Sequence, residues 1–136
     1  FEENGIIYKT AEHYMMAGKA RLFNDTETLE EILQAATPNQ VKSLGRKVKN
    51  FNPNIWDEHK YEIVKKGNLL KFSQNKKFKE FLLSTNDKIL VEASPYDKIW
   101  GIGMLETDSR AENPLLWNGE NLLGFALMEV RDELRR

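Results

Sequence analysis

Apolar positions recur every three or four residues over most of the chain, the spacing that gathers them on one side of an α-helix. The first such stretch follows Thr10, which can cap a helix with Ala11, Glu12 and His13 in its first turn. Tyr14, Met15, Gly18 and Leu22 then read as its core stripe. Glu12, Met16, Lys19 and Phe23 fall at i, i+4, i+7 and i+11 and share another face. Asp25-Thr26 starts a second helix with Leu29, Ile32, Leu33 and Ala36. Thr37-Pro-Asn-Gln40 combines a capping box with proline at the first helical position, and Val41, Leu44 and Val48 give the third helix its apolar side. After the turn cluster 50–54, a long helix is expected from about Ile55, with Trp56, Ile63, Gly67 and Leu70 on one side. Asn75 can cap the next, which carries Phe78, Phe81 and Leu82. The last runs from about Glu120 through Leu123, Leu127, Val130 and Leu134.

Two short runs have β character. Gly5-Ile-Ile-Tyr8 follows a turn-like Glu-Asn-Gly, and Lys88-Ile-Leu-Val91 is a continuous apolar run that reads as a buried strand. The two are expected to pair. The pattern therefore predicts one mainly α domain over residues 1–136 with a small β element; an α+β label differs only in emphasis.

The second run leads into Glu92-Ala-Ser-Pro-Tyr-Asp-Lys-Ile-Trp-Gly-Ile-Gly103, which is poorly suited to filling a core. Pro95 fixes its own φ and pushes Ser94 towards extended geometry. Gly101 and Gly103 permit a sharp turn or a close backbone approach. Trp100 offers a flat apolar face and one N–H donor. A stiff loop with acids beside an aromatic ring suits a ligand wall. The plainer reading packs Trp100 and Ile102 inward and leaves Asp97 and Lys98 in water.

Composition narrows the chemistry. The 136 residues suit one domain, and 40% hydrophobic content is enough for a core. The formal net charge of −1 gives no general field towards nucleic acid. There is no cysteine, hence no disulfide or thiolate chemistry. His13 and His59 stand far apart, which argues against a zinc site. No run of about 18 apolar residues suggests a membrane span, and the opening Phe1-Glu-Glu-Asn is not a signal peptide. A cytoplasmic domain without metal or cofactor is the expectation.

Several residues could carry chemistry. Glu12 and Lys19 are separated by about 10.5 Å of helical rise, and both are long enough to lean into one cavity. A lysine beside Met16 and Phe23 can be partly desolvated, which frees its amine as a nucleophile; a solvated lysine and a helix-starting glutamate are the plainer alternative. His13 reads as a core or positioning histidine. Arg46 could grip a phosphate bidentately or be a surface charge. Glu92 and Asp97 offer paired carboxylates, which suit glycosidic chemistry, although Asp97 could equally bond local backbone N–H groups. Asn118 and Asn121, at the entry to the last helix, could cap it or bind ribose hydroxyls. No Walker or dinucleotide glycine motif is present, so nucleotide binding would fall to Arg46, Trp100 and backbone donors.

The 92–103 loop resembles the signature of the NADAR domains, also called YbiA-like. So do Tyr8-Lys-Thr-Ala-Glu-His-Tyr-Met-Met-Ala-Gly-Lys-Ala20 and Trp117-Asn-Gly-Glu-Asn-Leu-Leu-Gly-Phe-Ala-Leu-Met-Glu-Val-Arg131, with Leu44-Gly-Arg46 and Lys71-Phe72 between them. The likeness runs over nearly the whole chain, in the family's order. Family members usually carry a further aromatic-rich segment with a Ser-Asn-Phe-like element before the position of Phe1. The sequence starts after it, which implies a truncated chain or a site with a part missing. The resemblance implies a helical fold and cleavage of an N-glycosidic bond, foremost removal of ADP-ribose from guanine in DNA, RNA or nucleotides. It implies Lys19, Glu12 and Asp97 as catalytic residues. For substrate binding it implies His13, Arg46, Glu92, Ser94, Trp100, Gly101, Gly103, Asn118 and Asn121. Alternatives are an N-glycosidase of riboflavin-pathway intermediates, a non-catalytic reader of ADP-ribose or NAD-like ligands, and a plain interaction domain.

Overall fold

Asn4 and Gly5 both have positive φ, 54° and 82°, the geometry of a tight hairpin turn. They join β1 (Glu2–Glu3) to β2 (Ile6–Ile7), with Glu3 opposite Ile6 and Glu2 opposite Ile7. The β element is thus made locally, where the sequence pattern had suggested a pairing between Gly5–Tyr8 and Ile89–Val91. The computed structural model describes all of Phe1–Arg136, in two compact units, Phe1–Lys79 and Glu80–Arg136.

In the first unit α1 (Ala11–Leu22) packs against α2 (Thr26–Gln34), α3 (Pro38–Gly45) and α4 (Pro53–Gln74). Thr10 caps α1 by accepting from His13 N at 3.2 Å, a contact worth about 1 kcal/mol in such positions. Thr37 and Gln40 form the expected capping box on α3. The buried side of α1 is His13, Tyr14, Ala17 and Ala20, and Phe23 at its C-terminus joins this core. The stripe expected from the sequence was displaced: Met15 and Leu22 are only half-buried, and Phe23 belongs to the core. Small residues decide this, since alanine and glycine let helices approach closely. A Cβ on Gly18 would lie 2.7 Å from Ile63 of α4.

The hairpin is tied down at both ends. Glu2 N donates to Gln74 Oε1, and Gln74 Nε2 donates to Glu2 O, each at 2.7 Å. Phe1 stacks on Tyr8 at 5.7 Å, Tyr14 meets Tyr8 edge-on at 5.0 Å, and Phe1 lies tilted to Tyr14 at 5.9 Å. The Tyr14 hydroxyl donates to Glu3 Oε1 at 3.0 Å; burial first, and that carboxylate second, hold its phenol protonated well above the ordinary range.

The boundary between the units falls inside α5 (Lys76–Ser84), capped by Asn75 Oδ1 accepting from Phe78 N. Of its expected apolar side only Leu82 is buried; Phe81 is 71% exposed. In the second unit the chain from Thr85 to Asn121 is irregular apart from a 3-10 turn at Pro114–Leu116, and α6 (Leu122–Arg135) closes it. Residues 88–91 form no strand, and Ile89 is 60% exposed. Side chains hold this segment in place of a neighbouring strand. Arg131 donates through Nη1 to Thr85 Oγ1 and Lys88 O, and Asn121 holds the next residues, as described below. The buried side of α6 is Gly124, Ala126, Val130 and Arg131, so the expected leucines at 123, 127 and 134 are left half-buried. No helix is long and apolar enough to cross a membrane.

Candidate active site

Lys19 lies on the last turns of α1, where its side chain reaches the end of α3. Its Nζ donates to Gly45 O at 2.8 Å. The same nitrogen lies 4.4 Å from the centre of the Phe51 ring and 5.8 Å from that of Trp56. Arg46 sits next to Gly45, exposed, with Nη2 donating to Ser43 Oγ at 3.2 Å. Burial first, and the Arg46 guanidinium second, lower the Lys19 pKa from the ordinary lysine value. Both effects disfavour the charged ammonium and so favour a free lone pair. Lys19 is therefore no solvated surface lysine. It is a shielded amine between a carbonyl and two aromatic faces, beside a second cation.

Asp25 builds the frame of this corner. It caps α2 by accepting from Thr28 N at 3.1 Å, and its other oxygen accepts from Lys49 N at 2.9 Å. Asn50, next in the chain, takes a φ of 62°, and Phe51 follows, edge-on to Phe23 at 5.4 Å. Phe51 thus reaches Lys19 through a turn pinned by a carboxylate. Glu12 occupies the first turn of α1, half-buried, with its Oε2 shielded from solvent.

His13 is oriented otherwise. Its Nε2 meets Ala35 O at 2.8 Å and its Nδ1 meets Thr10 Oγ1 at 2.7 Å. A carbonyl only accepts, so Nε2 carries the hydrogen and Nδ1 takes that of the Thr10 hydroxyl. Nε2 fixes α1 to the end of α2, and Nδ1 bonds the Thr10 cap of α1 itself.

In the second unit the signature loop is held by its own polar groups. Asp97 Oδ1 accepts from Ile99 N at 3.0 Å and from Trp100 N at 2.8 Å, which makes the half-buried Asp97 a turn-forming residue. Gly101 is buried, and a Cβ there would lie 2.7 Å from Glu92 O. Gly103 has φ +72° and lies against the Asn118 backbone; Asn118 N donates to Ile102 O at 2.9 Å. Asn121 is fully buried, with left-handed φ of 53°. Its Oδ1 accepts from Glu92 N at 3.0 Å and its Nδ2 donates to Leu90 O at 2.9 Å. It makes no capping bond to α6, so the cap expected there is replaced by a clamp on the chain entering the loop. Glu92 and Asn118 are exposed, while Ser94 and Trp100 are half-buried.

Sequence reasoning passed over Gly45 as an acceptor and Phe51 as a ring partner, and placed Trp56 only in a helix core. No short-range pattern links them to Lys19, which lies 26 residues from Gly45 in the chain. No group of three or more His, Asp or Glu side chains converges as metal ligands.

Comparison with known proteins gives a consistent result. The family model of the NADAR domain matches residues 1–135. N-glycosidase R617 of Acanthamoeba polyphaga mimivirus is 50% identical over 126 residues, spanning 93% of this chain and 74% of that protein. Protein irg-1 of Caenorhabditis elegans is 38% identical over 135 residues, 98% of this chain and 64% of that protein. The NMR structure of the Escherichia coli protein YbiA superposes with a TM-score of 0.78 at 30% sequence identity, covering 97% of this chain and 70% of that one.

Proposed function

Since this chain belongs to the NADAR domain family, we propose that it is an N-glycosidase, the activity in the name of R617, and that it releases ADP-ribose from modified guanine bases in nucleic acid or nucleotides. The observation that carries the reading is the Lys19 amine, bonded to Gly45 O at 2.8 Å under the Phe51 ring and biased towards its neutral form. A lowered pKa leaves more of the amine unprotonated and able to attack than an ordinary lysine has.

The chemistry then runs in balanced steps. The Lys19 lone pair attacks the anomeric carbon of the ribose. The bond from that carbon to the base nitrogen breaks, and its electrons leave with the base, which takes a proton. Glu12, the acid on the same helix, handles that proton. Loss of the amine proton lets the nitrogen expel the ring oxygen, giving an open-chain sugar joined to Lys19 as an iminium. Water adds to the same carbon and the amine departs, restoring Lys19 and releasing the sugar. The steps need only an amine, a carboxyl group and water. In this reading Arg46, exposed beside Gly45, holds a diphosphate oxygen. The net charge of −1 fits a substrate gripped at one modified nucleotide, not along a backbone. A cytoplasmic setting is part of the same proposal.

The test sets ADP-ribosylated guanine DNA beside riboflavin-pathway intermediates. Release of ADP-ribose and restoration of the guanine are expected in the first arm. Turnover confined to the second would move the substrate to the riboflavin pathway. Binding of ADP-ribose with no product in either arm would make the domain a reader.

A further inference from the structure

The Phe51 ring has no role in the steps above, yet it covers the atom on which they turn. Its centre lies 4.4 Å from Lys19 Nζ, within the range of a cation–π contact. The ring is 43% exposed, so it does not fill a core. Its position is fixed by the edge-on contact with Phe23 at 5.4 Å and by the preceding turn that Asp25 pins at Lys49. We infer that the face of Phe51 positions the Lys19 nitrogen and stabilises the positive charge that gathers on it as the sugar is transferred, with Trp56 as a second wall. The inference rests on Lys19 being the nucleophile.

The physical argument is a division of labour. Burial and Arg46 oppose charge on the free amine, which helps attack. The nitrogen is cationic as the bond to the anomeric carbon forms, becomes neutral on losing a proton, and is cationic again in the iminium. A ring face offers that cation a partner without a full opposing charge, so it favours protonation of the free amine less than a neighbouring carboxylate would. Arg46 approaches from α3, and Glu12 lies two turns earlier on α1. On α4, Asp57 and Lys60 pair with each other at 2.9 Å. Before α4, Lys49 pairs with Glu27 at 3.5 Å.

The test replaces Phe51 with mono-, di- and trifluorophenylalanine, which keep shape while draining the ring face of negative charge. Two quantities are followed in the whole protein: the Lys19 titration by NMR, and single-turnover release of the base. The expected result is a progressive fall of the Lys19 pKa by about half to one and a half units, and a roughly 3- to 30-fold loss of rate across the series, with thermal stability unchanged. An unmoved titration overturns the inference, and so does a moved titration with an unchanged rate while Lys19→Ala is inactive. A fully active Lys19→Ala variant instead overturns the nucleophile reading on which the inference stands. Phe51→Leu separates shape from charge: equal performance of the leucine and wild-type proteins would reduce Phe51 to a space-filler.

Discussion

The side chain of Lys19 donates to the main-chain carbonyl of Gly45 at 2.8 Å, joining α1 to the end of α3. Gly45 is buried, and a Cβ on it would run into the Met16 side chain, which stands on the Lys19 face of α1. Gly45→Ala is expected to lose about 1–3 kcal/mol of stability through overpacking and to lower turnover by shifting the carbonyl. Adding Met16→Ala should restore much of both by making room. Thermal unfolding and turnover of the single and double variants measure this. No rescue by the second substitution would place the cost somewhere other than the collision.

Arg46 acts on Lys19 through space, and the sign of its effect is fixed. A neighbouring cation lowers the lysine pKa, so the active neutral amine appears at lower pH than it would for an isolated lysine. The rate should rise with pH through the Lys19 pKa and level off above it. Arg46→Gln removes the repulsion, so this rising limb should move to higher pH. Because Arg46 is exposed, the shift should be small and should shrink as salt rises. A KM increase is expected in parallel if the guanidinium holds a phosphate. A pH profile that keeps its place in Arg46→Gln would separate the two charges.

The fold was legible wherever local chemistry decides it. Thr10, Asp25, Thr37 and Asn75 mark helix starts by hydrogen bonds to residues within the next three positions, whereas α4 starts at Pro53 behind the Asn52 cap, earlier than the expected Ile55. The last helix was legible from its apolar spacing although the expected Asn121 cap is absent, and the 107–114 stretch from its polar composition. The supposed strand at 88–91 was misread because an apolar run says nothing about what satisfies its backbone. In this protein the donors and acceptors come from Asn121 and Arg131, about 30 to 40 residues further on. The site divides likewise. Lys19 and Glu12 share a face by helix period. The carbonyl and rings around Lys19 are set by how α1, α3 and α4 pack, which no window of sequence contains.

Asn121 gives the second unit its clearest structural test. Two bonds from its amide satisfy Glu92 N and Leu90 O, and its φ of 53° suits asparagine or glycine. Asn121→Ala should cost about 1–3 kcal/mol from the stranded backbone groups, with added strain from the backbone angle. Asn121→Gly should relieve the strain but not the lost bonds. Asn121→Asp should keep the bond from Glu92 N while turning an oxygen on Leu90 O. Chemical denaturation should therefore rank both glycine and aspartate below wild type. A glycine variant as stable as wild type would show that the two bonds contribute nothing net.

Asp25 ties stability to pH. Backbone bonding from Lys49 first, and the side chain and backbone of Thr28 next, lower its pKa in the folded state. A carboxylate with a depressed folded pKa stabilises fully above its unfolded value of about 3.9 and loses that contribution as pH falls through the folded value. Wild type should lose stability progressively below about pH 4. Asp25→Asn should be less stable at neutral pH and should lose less on acidification. Because Asp25 also pins the turn before Phe51, the variant should turn over more slowly even at temperatures where it is folded. Unfolding midpoints at several pH values decide the first point, and an acid slope equal to wild type would contradict it.

The most direct measurement of the account is covalent trapping at Lys19. Borohydride added during turnover of ADP-ribosylated guanine should reduce the iminium to a stable secondary amine. Mass spectrometry of the digested protein should then find the sugar on the peptide that contains Lys19. Lys19→Arg keeps the positive charge but stays protonated and cannot attack, so it should be nearly inactive and carry no adduct. Hydrolysis by Lys19→Arg or Lys19→Ala at the wild-type rate, or an adduct on any other residue, would contradict the account.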